Sequence, residues 1–237
     1  MIGIIIQRST AMASLTKYFK LMKEHPQLFA NPEEEGVIKI ITGKEKIITL
    51  QSKIKREYKE SGKKPEWIDI GVLAEDEWEY IVRDLVEHPD GRIGGYTRSI
   101  SRISLHGGIA VVIMPVQGDK VLLLKHFRHE TRSWNWEFPR GFGEPGLSAE
   151  QNAIKEIKEE VGLSPQKLLE VGRYPGIVFF YAELDEGKPQ KPADEAIQKI
   201  EFLNLDELEN WIFSGQITDW FTIMAFLMVK RRNFRRR

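Results

Sequence analysis

Residues 141–163 read GFGEPGLSAEQNAIKEIKEEVGL, which is a glycine-rich turn followed by a segment with the boundary signals of a helix. Ser148 and Gln151 form a capping box, in which each side chain can bond a backbone N–H of the first helical turn. Gly162 is a residue type that commonly follows the last turn of a helix. These signals predict a helix over residues 149–161.

Three carboxylates lie on one side of this predicted helix. At roughly 100° per residue, Glu156, Glu159 and Glu160 fall within an arc of about 100°. Carboxylates this close repel one another unless a cation lies between them, and Mg²⁺ takes oxygen ligands that it shares with substrate phosphates. Taken alone, residues 155–160 are more typical of a solvated surface helix, in which pairs such as Lys155 with Glu159 are common. The residues around this segment are therefore needed to distinguish a metal-binding helix from a solvated surface helix.

The turn and the helix together resemble the Nudix box. Gly141 and the sequence KEIKEEVGL over residues 155–163 occur at the spacing of that motif. The resemblance implies that the helix holds a divalent cation, Mg²⁺ or Mn²⁺, against a diphosphate. It assigns these metal ligands: Glu156, Glu159, Glu160 and the backbone carbonyl of Arg140.

The chain departs from the Nudix box at two positions. It has Leu147 where the family has Glu, and Lys155 where the family has Arg. In the family these two side chains pair and brace the loop against the helix, so we expect the brace to be missing here. Loss of both partners leaves no buried charge unpaired, which makes it milder than the loss of one. We therefore expect a working but altered active site, and the alternative is a catalytically silent, nucleotide-binding regulatory module.

The sequence around the box resembles one branch of the Nudix superfamily, the ADP-ribose pyrophosphatases and related nucleoside-diphosphate hydrolases. Apolar strands are predicted over residues 107–116 and 120–125, and residues 136–141 read as a strand that leads into the box. Upstream, residues 78–86 and 96–98 flank a Pro-Asp-Gly turn and read as a hairpin.

This resemblance implies an α/β fold, the Nudix α/β/α sandwich with a mixed sheet. We expect an N-terminal helical extension over residues 1–66, an added antiparallel hairpin over residues 67–104, and a Nudix hydrolase domain over residues 105–237 that ends in a basic tail. Members of this branch form dimers through the added sheet, so the resemblance also implies a homodimer.

After the box, the sequence predicts three further strands and two helices. The strands cover residues 168–173, 177–184 and 197–202, and the helices cover residues 205–213 and 219–230. A polar loop precedes the last strand and ends at Glu195. In the ADP-ribose branch a glutamate from this loop is the base that activates water, and Glu195 is the matching residue. An exposed loop residue without a catalytic role is the alternative.

Candidate substrate contacts lie on both sides of the box. The resemblance places Arg128 and Arg98 against a phosphate or the terminal group of the substrate, and Glu137 is the third candidate. Trp134 and Trp136 lie close to the box, where one of them could stack on a nucleobase. Because they share one face by strand alternation, a hydrophobic pair is the alternative.

The composition excludes several classes of protein. Lys and Arg number 35 and Asp and Glu number 35, so there is no global charge that would draw the chain to nucleic acid or to an anionic membrane. Without cysteine there is no disulfide framework and no thiolate zinc site, which is typical of a cytoplasmic protein. The apolar runs are too short to span a bilayer, and residues 1–6 lack the features of a signal peptide.

These observations predict a Nudix-type pyrophosphohydrolase that acts on a nucleotide-derived small molecule. The leading substrate is ADP-ribose, cleaved to AMP and ribose 5-phosphate. Residues 174–177 replace a longer, serine-containing loop of the ADP-ribose enzymes, which weakens the case for this substrate but leaves the diphosphate chemistry untouched. The basic tail at residues 230–237 permits weak contact with a nucleic-acid backbone, so an RNA-end hydrolase is a less favoured alternative.

Overall fold

The computed structural model describes residues 13–193 and 195–234 of the chain. The chain divides into two compact units, Met1–Arg102 and Ile103–Arg237. Residues 1–6, for which we expected no signal peptide, and the last three arginines of the basic tail lie outside the described residues.

The first unit combines two helices with a four-stranded antiparallel sheet. Its elements are α1 (Leu15–Glu24), β1 (Lys39–Ile40), α2 (Lys44–Glu60), β2 (Gly71–Glu75), β3 (Glu79–Glu87) and β4 (Ile93–Ser101). Strand β3 is central because it pairs with β4 along its whole length and with both β1 and β2. The predicted hairpin is therefore present, and it is part of a larger sheet.

The second unit is built on a seven-stranded mixed sheet. Its elements, starting with a short helix at the junction of the units, are α3 (Arg102–Leu105), β5 (Ala110–Gln117), β6 (Lys120–Arg128), β7 (Ser133–Glu137), β8 (Arg140–Gly141), α4 (Ala149–Val161), β9 (Pro165–Tyr174), β10 (Ile177–Leu184), β11 (Ile197–Leu203), α5 (Leu205–Phe213) and α6 (Trp220–Phe234). The strand order is β11, β6, β5, β10, β9, with β7 beside β6 and β8 beside β5. Only the β5–β10 pair is parallel among these described strands.

Alternating side chains of β5 pack on opposite faces of this sheet. Val111 and Ile113 belong to a buried cluster with the apolar residues of α4. Val112 and Met114 belong to a second cluster with residues of α5 and α6. Successive strand residues point to opposite faces, so one buried strand serves both layers. The predicted α/β/α sandwich is confirmed.

Helix α4 begins and ends where the sequence predicted. The Ser148 hydroxyl accepts a hydrogen bond from the Gln151 N–H at 3.2 Å, and the Gln151 side chain accepts one from the Ser148 N–H at 2.8 Å. Gly162 ends the helix with a φ of 74°, in the left-handed region that favours glycine. These local interactions fix where the helix begins and ends.

The strand predicted over residues 136–141 is in fact divided into two. Strand β7 pairs with β6 and ends at Glu137, whereas β8 pairs with β5 and begins at Arg140. Pro139 lies at the break and has no N–H to donate, but its carbonyl accepts from Ile113 at 2.9 Å. The chain thus crosses from one strand partner to another just before the box.

Within the described residues, no helix combines the length and the apolar character that a membrane span requires.

Candidate active site

The three box carboxylates have different environments. Glu160 is 5% exposed, Glu156 is half-buried, and the side chain of Glu159 is 52% exposed. The Glu160 Oε2 accepts a hydrogen bond from the backbone N–H of Arg140 at 3.3 Å. This bond ties the buried end of the acidic face to the first residue of β8.

Gly141 provides the space that Glu156 occupies. A Cβ at position 141 would overlap the Glu156 carboxylate, so only glycine allows this carboxylate to lie against the backbone of β8. The first glycine of the predicted box is therefore required by close approach, since its φ is not in the left-handed region.

Burial and like charges around the two inner carboxylates outweigh the nearby cations, Arg128 for Glu160 and Lys155 for Glu156. Burial raises the pKa of Glu160 to about 8, and the negative charges of Glu156 and Glu137 act in the same direction. Burial also raises the pKa of Glu156 to about 7, with Glu159 as the largest charged contributor. Glu195 lies close enough to raise the pKa of both groups further. The predicted base therefore contributes to the same negative field as the box.

This arrangement fits a hard divalent cation. Two carboxylates whose pKa values are raised by burial and mutual repulsion favour a cation between them, which would remove the repulsion. Among the described residues, no three Asp, Glu, His or Cys side chains converge closely enough to hold a metal by themselves. Mg²⁺ usually binds one or two carboxylates and completes its shell with water and phosphate oxygens. Glu156 and Glu160 suit that mode, with Glu159 on the exposed side.

Glu137 holds a cluster of cationic side chains beside the box. Glu137 is 1% exposed. Its carboxylate accepts a hydrogen bond from the Arg128 Nε at 3.0 Å and a second one from a terminal nitrogen of the same guanidinium. It also accepts a hydrogen bond from Arg140 at 3.4 Å. The Nδ1 of buried His126 lies 3.0 Å from the same carboxylate. Burial alone would raise the pKa of Glu137, but these three residues hold it below its usual value. Glu137 is therefore a charged anchor for both arginines.

A second set of contacts fixes Arg140 from the start of α6. Its guanidinium lies 3.3 Å from the Asp219 carboxylate and stacks over the Phe221 ring at 4.3 Å. Asp219 accepts hydrogen bonds from the N–H and the hydroxyl of Thr222, at 2.9 and 2.8 Å. The Thr222 hydroxyl in turn accepts from the backbone N–H of Phe138 at 2.9 Å. The sequence did not reveal this network, although Asp219 and Thr222 have the spacing of a helix cap.

Two adjoining cavities share the arginine cluster. They have volumes of about 290 and 350 Å³, and both are lined by Arg128, Glu130, Arg140 and Phe221. The larger one also reaches Gly141, whose other side abuts Glu156. The acidic face of α4 and the arginine-lined cavities therefore meet at β8.

Comparison with known proteins assigns the second unit to a family. A family model described as NUDIX domain matches residues 105–221. The ADP-ribose pyrophosphatase of Methanocaldococcus jannaschii is 30% identical over 126 residues, which make up 48% of this chain and 72% of that protein. The chain belongs to the Nudix family. The predicted class of enzyme, a Nudix pyrophosphohydrolase, is confirmed.

Other similar proteins agree with this assignment. The ADP-ribose pyrophosphatase of Bacillus subtilis is 28% identical over 151 residues, 59% of this chain and 78% of that protein. A protein of Bacillus methanolicus named methanol dehydrogenase activator is 29% identical over 153 residues, 60% of this chain and 80% of that protein. A crystal structure of an ADP compounds hydrolase has a TM-score of 0.57 at 20% identity and covers 69% of this chain and 91% of that chain, which supports the fold. The predicted resemblance to the ADP-ribose pyrophosphatase-like branch is confirmed.

The brace of this Nudix box is present, contrary to our expectation. The Lys155 Nζ donates a hydrogen bond to the Glu144 carboxylate at 2.6 Å, so an ion pair still joins the loop to α4. The backbone N–H of Glu144 also donates to the side chain of Asn152 at 3.0 Å. The acidic partner has moved three residues towards the N-terminus from Leu147, which is why a comparison of fixed motif positions did not find it.

Two other predicted site residues, Glu195 and Arg98, lie in different units of this Nudix enzyme. Glu195 is exposed in the loop before β11, and the next residue anchors that loop because the Ala196 carbonyl accepts from Phe127 at 2.9 Å. Arg98 lies in the first unit, where its Nε donates to the buried Asp84 carboxylate at 2.6 Å. Tyr18, which is fully buried, donates to the other Asp84 oxygen at 2.5 Å.

The two tryptophans proposed for base stacking pack elsewhere. The Trp136 ring lies 5.3 Å from that of Trp211, and the Trp134 ring lies 5.4 Å from that of Phe127. Neither residue lines the two cavities around Arg140, and each ring contacts a different aromatic ring.

The short loop predicted at residues 174–177 is a two-residue turn. Tyr174 of β9 pairs directly with Ile177 of β10, and Pro175 and Gly176 connect them. Gly176 has a φ of 78°, and a proline followed by such a glycine is typical of a type II turn. Ile177 lines the larger cavity, so this turn ends at the site.

Proposed function

We propose that this Nudix protein uses Mg²⁺ or Mn²⁺ to hydrolyse the diphosphate bond of a nucleoside diphosphate linked to another group. ADP-ribose, cleaved to AMP and ribose 5-phosphate, is the leading candidate. The observation that carries the proposal is a pair of carboxylates with raised pKa values, the buried Glu160 and the half-buried Glu156, next to cavities lined by two arginines. One side of this site suits a cation, and the other suits phosphate oxygens.

In this proposal the residues of α4 and of the loop before β11 have separate roles. Glu156 and Glu160 hold the cation, Glu159 assists from the exposed side, and the Arg140 carbonyl is a further ligand. When bound, the cation neutralises charge on the phosphate and lowers the pKa of a bound water. Glu195 positions the attacking water or removes its proton, which the proximity of its charge to Glu156 and Glu160 supports.

The cationic residues bind the diphosphate. Arg128 and Arg140 line both cavities, and guanidinium groups match phosphate oxygens in pairs of hydrogen bonds. Glu137 orients both guanidiniums, so its contribution to substrate binding is a positioning one. Arg98 stays a proposed contact for the substrate's terminal group, on the family resemblance alone.

The choice of ADP-ribose rests on the relatives. Two proteins named ADP-ribose pyrophosphatase match this chain at 28% and 30% identity. The two-residue turn at residues 175–176 argues for a broader assignment, because it offers few contacts to a terminal ribose. Nucleoside diphosphates linked to other groups therefore belong to the same proposal.

A hydrolysis screen tests the proposed activity. Purified protein is incubated with Mg²⁺ or Mn²⁺ and ADP-ribose, nucleotide sugars, dinucleoside polyphosphates, NADH or nucleoside triphosphates. Glu160→Gln is expected to abolish turnover, whereas Glu150→Gln, an exposed carboxylate on the same helix, is expected to keep it. Formation of AMP and ribose 5-phosphate identifies ADP-ribose. Equal turnover by both variants would show that the box does not catalyse the reaction.

A second candidate is a Nudix-fold module that binds a nucleotide and regulates another protein. The relative named methanol dehydrogenase activator, with 29% identity over 80% of its length, favours it. Leu147 in place of the family's Glu is consistent with this alternative, whereas the Glu144–Lys155 pair weakens the argument. Tight nucleotide binding without turnover on any substrate of the screen would select this candidate.

We also propose a homodimer and a small-molecule substrate. Strand β4 pairs with β3 along its whole length, and we place the contact with a second copy at this added sheet. Light scattering that gives a monomer mass at micromolar concentration contradicts the dimer.

Deletion of residues 231–237 should leave nucleotide turnover unchanged. A loss of RNA affinity on this deletion would instead support the RNA-end alternative.

A further inference from the structure

Exposed aromatic rings surround the arginine-lined cavities. Phe142 is 71% exposed and lines the larger cavity, and Trp220 is 47% exposed and lines the smaller one. Tyr174, 58% exposed, lies edge-on to Trp220 with ring centroids 6.5 Å apart. Large apolar side chains scattered singly on a surface need no explanation, but a group of them at the mouth of a charged cavity marks a candidate binding surface.

The rings at the start of α6 form a layered stack. The Arg140 guanidinium lies 4.3 Å from the centroid of Phe221, and Phe221 stacks on Trp220 with centroids 3.8 Å apart and an interplanar angle of 28°. Phe221 is thus held between two partners, and Trp220 is the outer, more exposed layer. The buried hydrogen bonds of Thr222 fix the backbone that carries both rings. This stack is organised before any ligand arrives, which lowers the entropy that binding would cost.

The two kinds of wall fit two parts of one ligand. Arg128 and Arg140 suit phosphate oxygens, and the exposed rings suit a planar, apolar group bonded to them. Phe142 directly follows Gly141, the residue that abuts Glu156, so the aromatic wall begins where the acidic site ends. Every nucleobase has a π-face that stacks on aromatic side chains, and a base bonded through its ribose to a diphosphate would use both kinds of wall at once.

We propose that Trp220 and Phe142 form the base-stacking site for the nucleotide half of the substrate, with Phe221 as the fixed layer that orients Trp220. The inference rests on the proposed function, because it presumes a substrate that carries a nucleobase. It makes the two rings specificity-determining residues that act on binding and leave the hydrolytic groups unchanged.

Equilibrium binding separates the two halves of this site. AMP, ribose 5-phosphate and inorganic pyrophosphate are titrated by calorimetry, in the presence of Mg²⁺, into the wild-type protein and into Trp220→Ala and Phe142→Ala. Each substitution should weaken AMP binding by about 5- to 150-fold, the effect of losing one stacked ring. The affinity for pyrophosphate should change less than about twofold, because that ligand has no base. Trp220→Phe keeps a ring at the stack and should retain most of the AMP affinity.

Trp134→Ala is the matched control. Trp134 is 44% exposed, lies in the same unit and lines neither cavity, so its replacement should leave AMP binding unchanged. Three results would overturn the proposal: unchanged AMP affinity in Trp220→Ala and Phe142→Ala, equal weakening of AMP and pyrophosphate, or no AMP binding by the wild-type protein. Preferential weakening of ribose 5-phosphate would likewise refute it. Because these are binding measurements, a failure of hydrolysis with intact AMP binding contradicts the proposed activity and leaves the stacking site supported.

Discussion

Two buried carboxylates, one in each unit, have opposite environments. Asp84 in the first unit is 2% exposed and accepts hydrogen bonds from Tyr18 at 2.5 Å and from Arg98 at 2.6 Å. Glu160 in the second unit is 5% exposed and accepts one bond, from the backbone N–H of Arg140 at 3.3 Å. Burial and the nearby Asp84 raise the pKa of Tyr18 far above its usual value, so its phenol keeps the proton that it donates.

The difference separates a carboxylate that supports the fold from one that is suited to a ligand. A buried charge is costly unless a partner and hydrogen bonds compensate it. Asp84 has a charged partner in Arg98 and a hydrogen bond from Tyr18. Removal of Asp84 or of Arg98 would leave the charge of the remaining residue without compensation. Glu160 faces the charges of Glu156 and Glu137 instead, so the folded protein holds it at the expense of stability. Sites that bind charged ligands are often maintained in this way.

The largest expected effect is on the compensated carboxylate. Asp84→Asn should lower the free energy of unfolding by about 3–5 kcal/mol, because it leaves the guanidinium of Arg98 without its buried counter-charge. Urea denaturation measures the change. Asp90→Asn, at an exposed carboxylate of the same unit, should leave the midpoint unchanged. A loss of less than about 1 kcal/mol for Asp84→Asn would contradict the distinction between the two carboxylates.

The next effect concerns the space that Glu156 occupies. Gly141→Ala should lower kcat/KM by about 100-fold, because its methyl group displaces the Glu156 carboxylate from the backbone of β8. The same variant should bind Mg²⁺ more weakly, which calorimetry can measure. Gly94→Ala is the control, since its added methyl would meet no atom within 4 Å. Normal activity in Gly141→Ala would mean that the position of Glu156 does not matter for catalysis.

A smaller effect is the pH dependence of the metal-free protein. Since the pKa of Glu160 is about 8 in the folded state and near 4.5 when unperturbed, the folded state binds the extra proton between these values. Stability should therefore fall as the pH rises from 5 to 9, by on the order of 2 kcal/mol from this group. Glu160→Gln should remove that part of the fall and be more stable than wild type at pH 9. Thermal unfolding in EDTA tests this, and an equal fall in both proteins would contradict it.

Saturating Mg²⁺ should reverse the same loss in the wild-type protein. The cation neutralises the carboxylates, so its effect on the melting temperature should be larger at pH 8 than at pH 5.5, where protons compete for Glu156 and Glu160. Glu160→Gln should show little Mg²⁺ dependence at either pH. A Mg²⁺ effect that is independent of pH would mean that the cation binds elsewhere.

The smallest effect is expected for the brace. Glu144 and Lys155 are 56% and 36% exposed at their side chains, and exposed pairs contribute about 0.2–1 kcal/mol. Glu144→Gln should therefore lower activity only a few-fold, and Leu147→Glu in the same protein should restore it by returning an acidic partner to the loop. A double-mutant cycle with Lys155→Met measures the coupling energy. No coupling between positions 144 and 155 would show that the pair does not brace the loop.

Local signals predicted helices α4 and α5 well. Helix α4 has both boundaries where the sequence predicted them, because Ser148, Gln151 and Gly162 act within one turn of the helix ends. Helix α5 likewise begins after Asn204, whose side chain forms a second capping box with Glu207. The family motif then gave the identity of the carboxylates on α4, which periodicity alone left ambiguous.

Contacts between distant parts of the chain could not be predicted in the same way. The break between β7 and β8 follows from a change of partner strand, which the alternation of residues 136–141 does not reveal. The pairing of Arg140 with Asp219 spans most of the second unit. The Glu144–Lys155 pair depends on how a loop folds back on a helix. For the same reason, the sequence pointed to Trp134 and Trp136 rather than to Phe142 and Trp220 as exposed rings at the site.

The tight turn between β9 and β10 makes the site easy to remodel. Pro175 and Gly176 connect two fully paired strands, so added residues would leave the sheet register undisturbed. Loop closure costs only about 0.6 kcal/mol for each doubling of loop length. Since Ile177 already lines the larger cavity, a grafted loop would enter the site at its rim while the acidic face of α4 stayed unchanged. The hairpin is thus a point where substrate range can diversify independently of chemistry, by insertion instead of substitution.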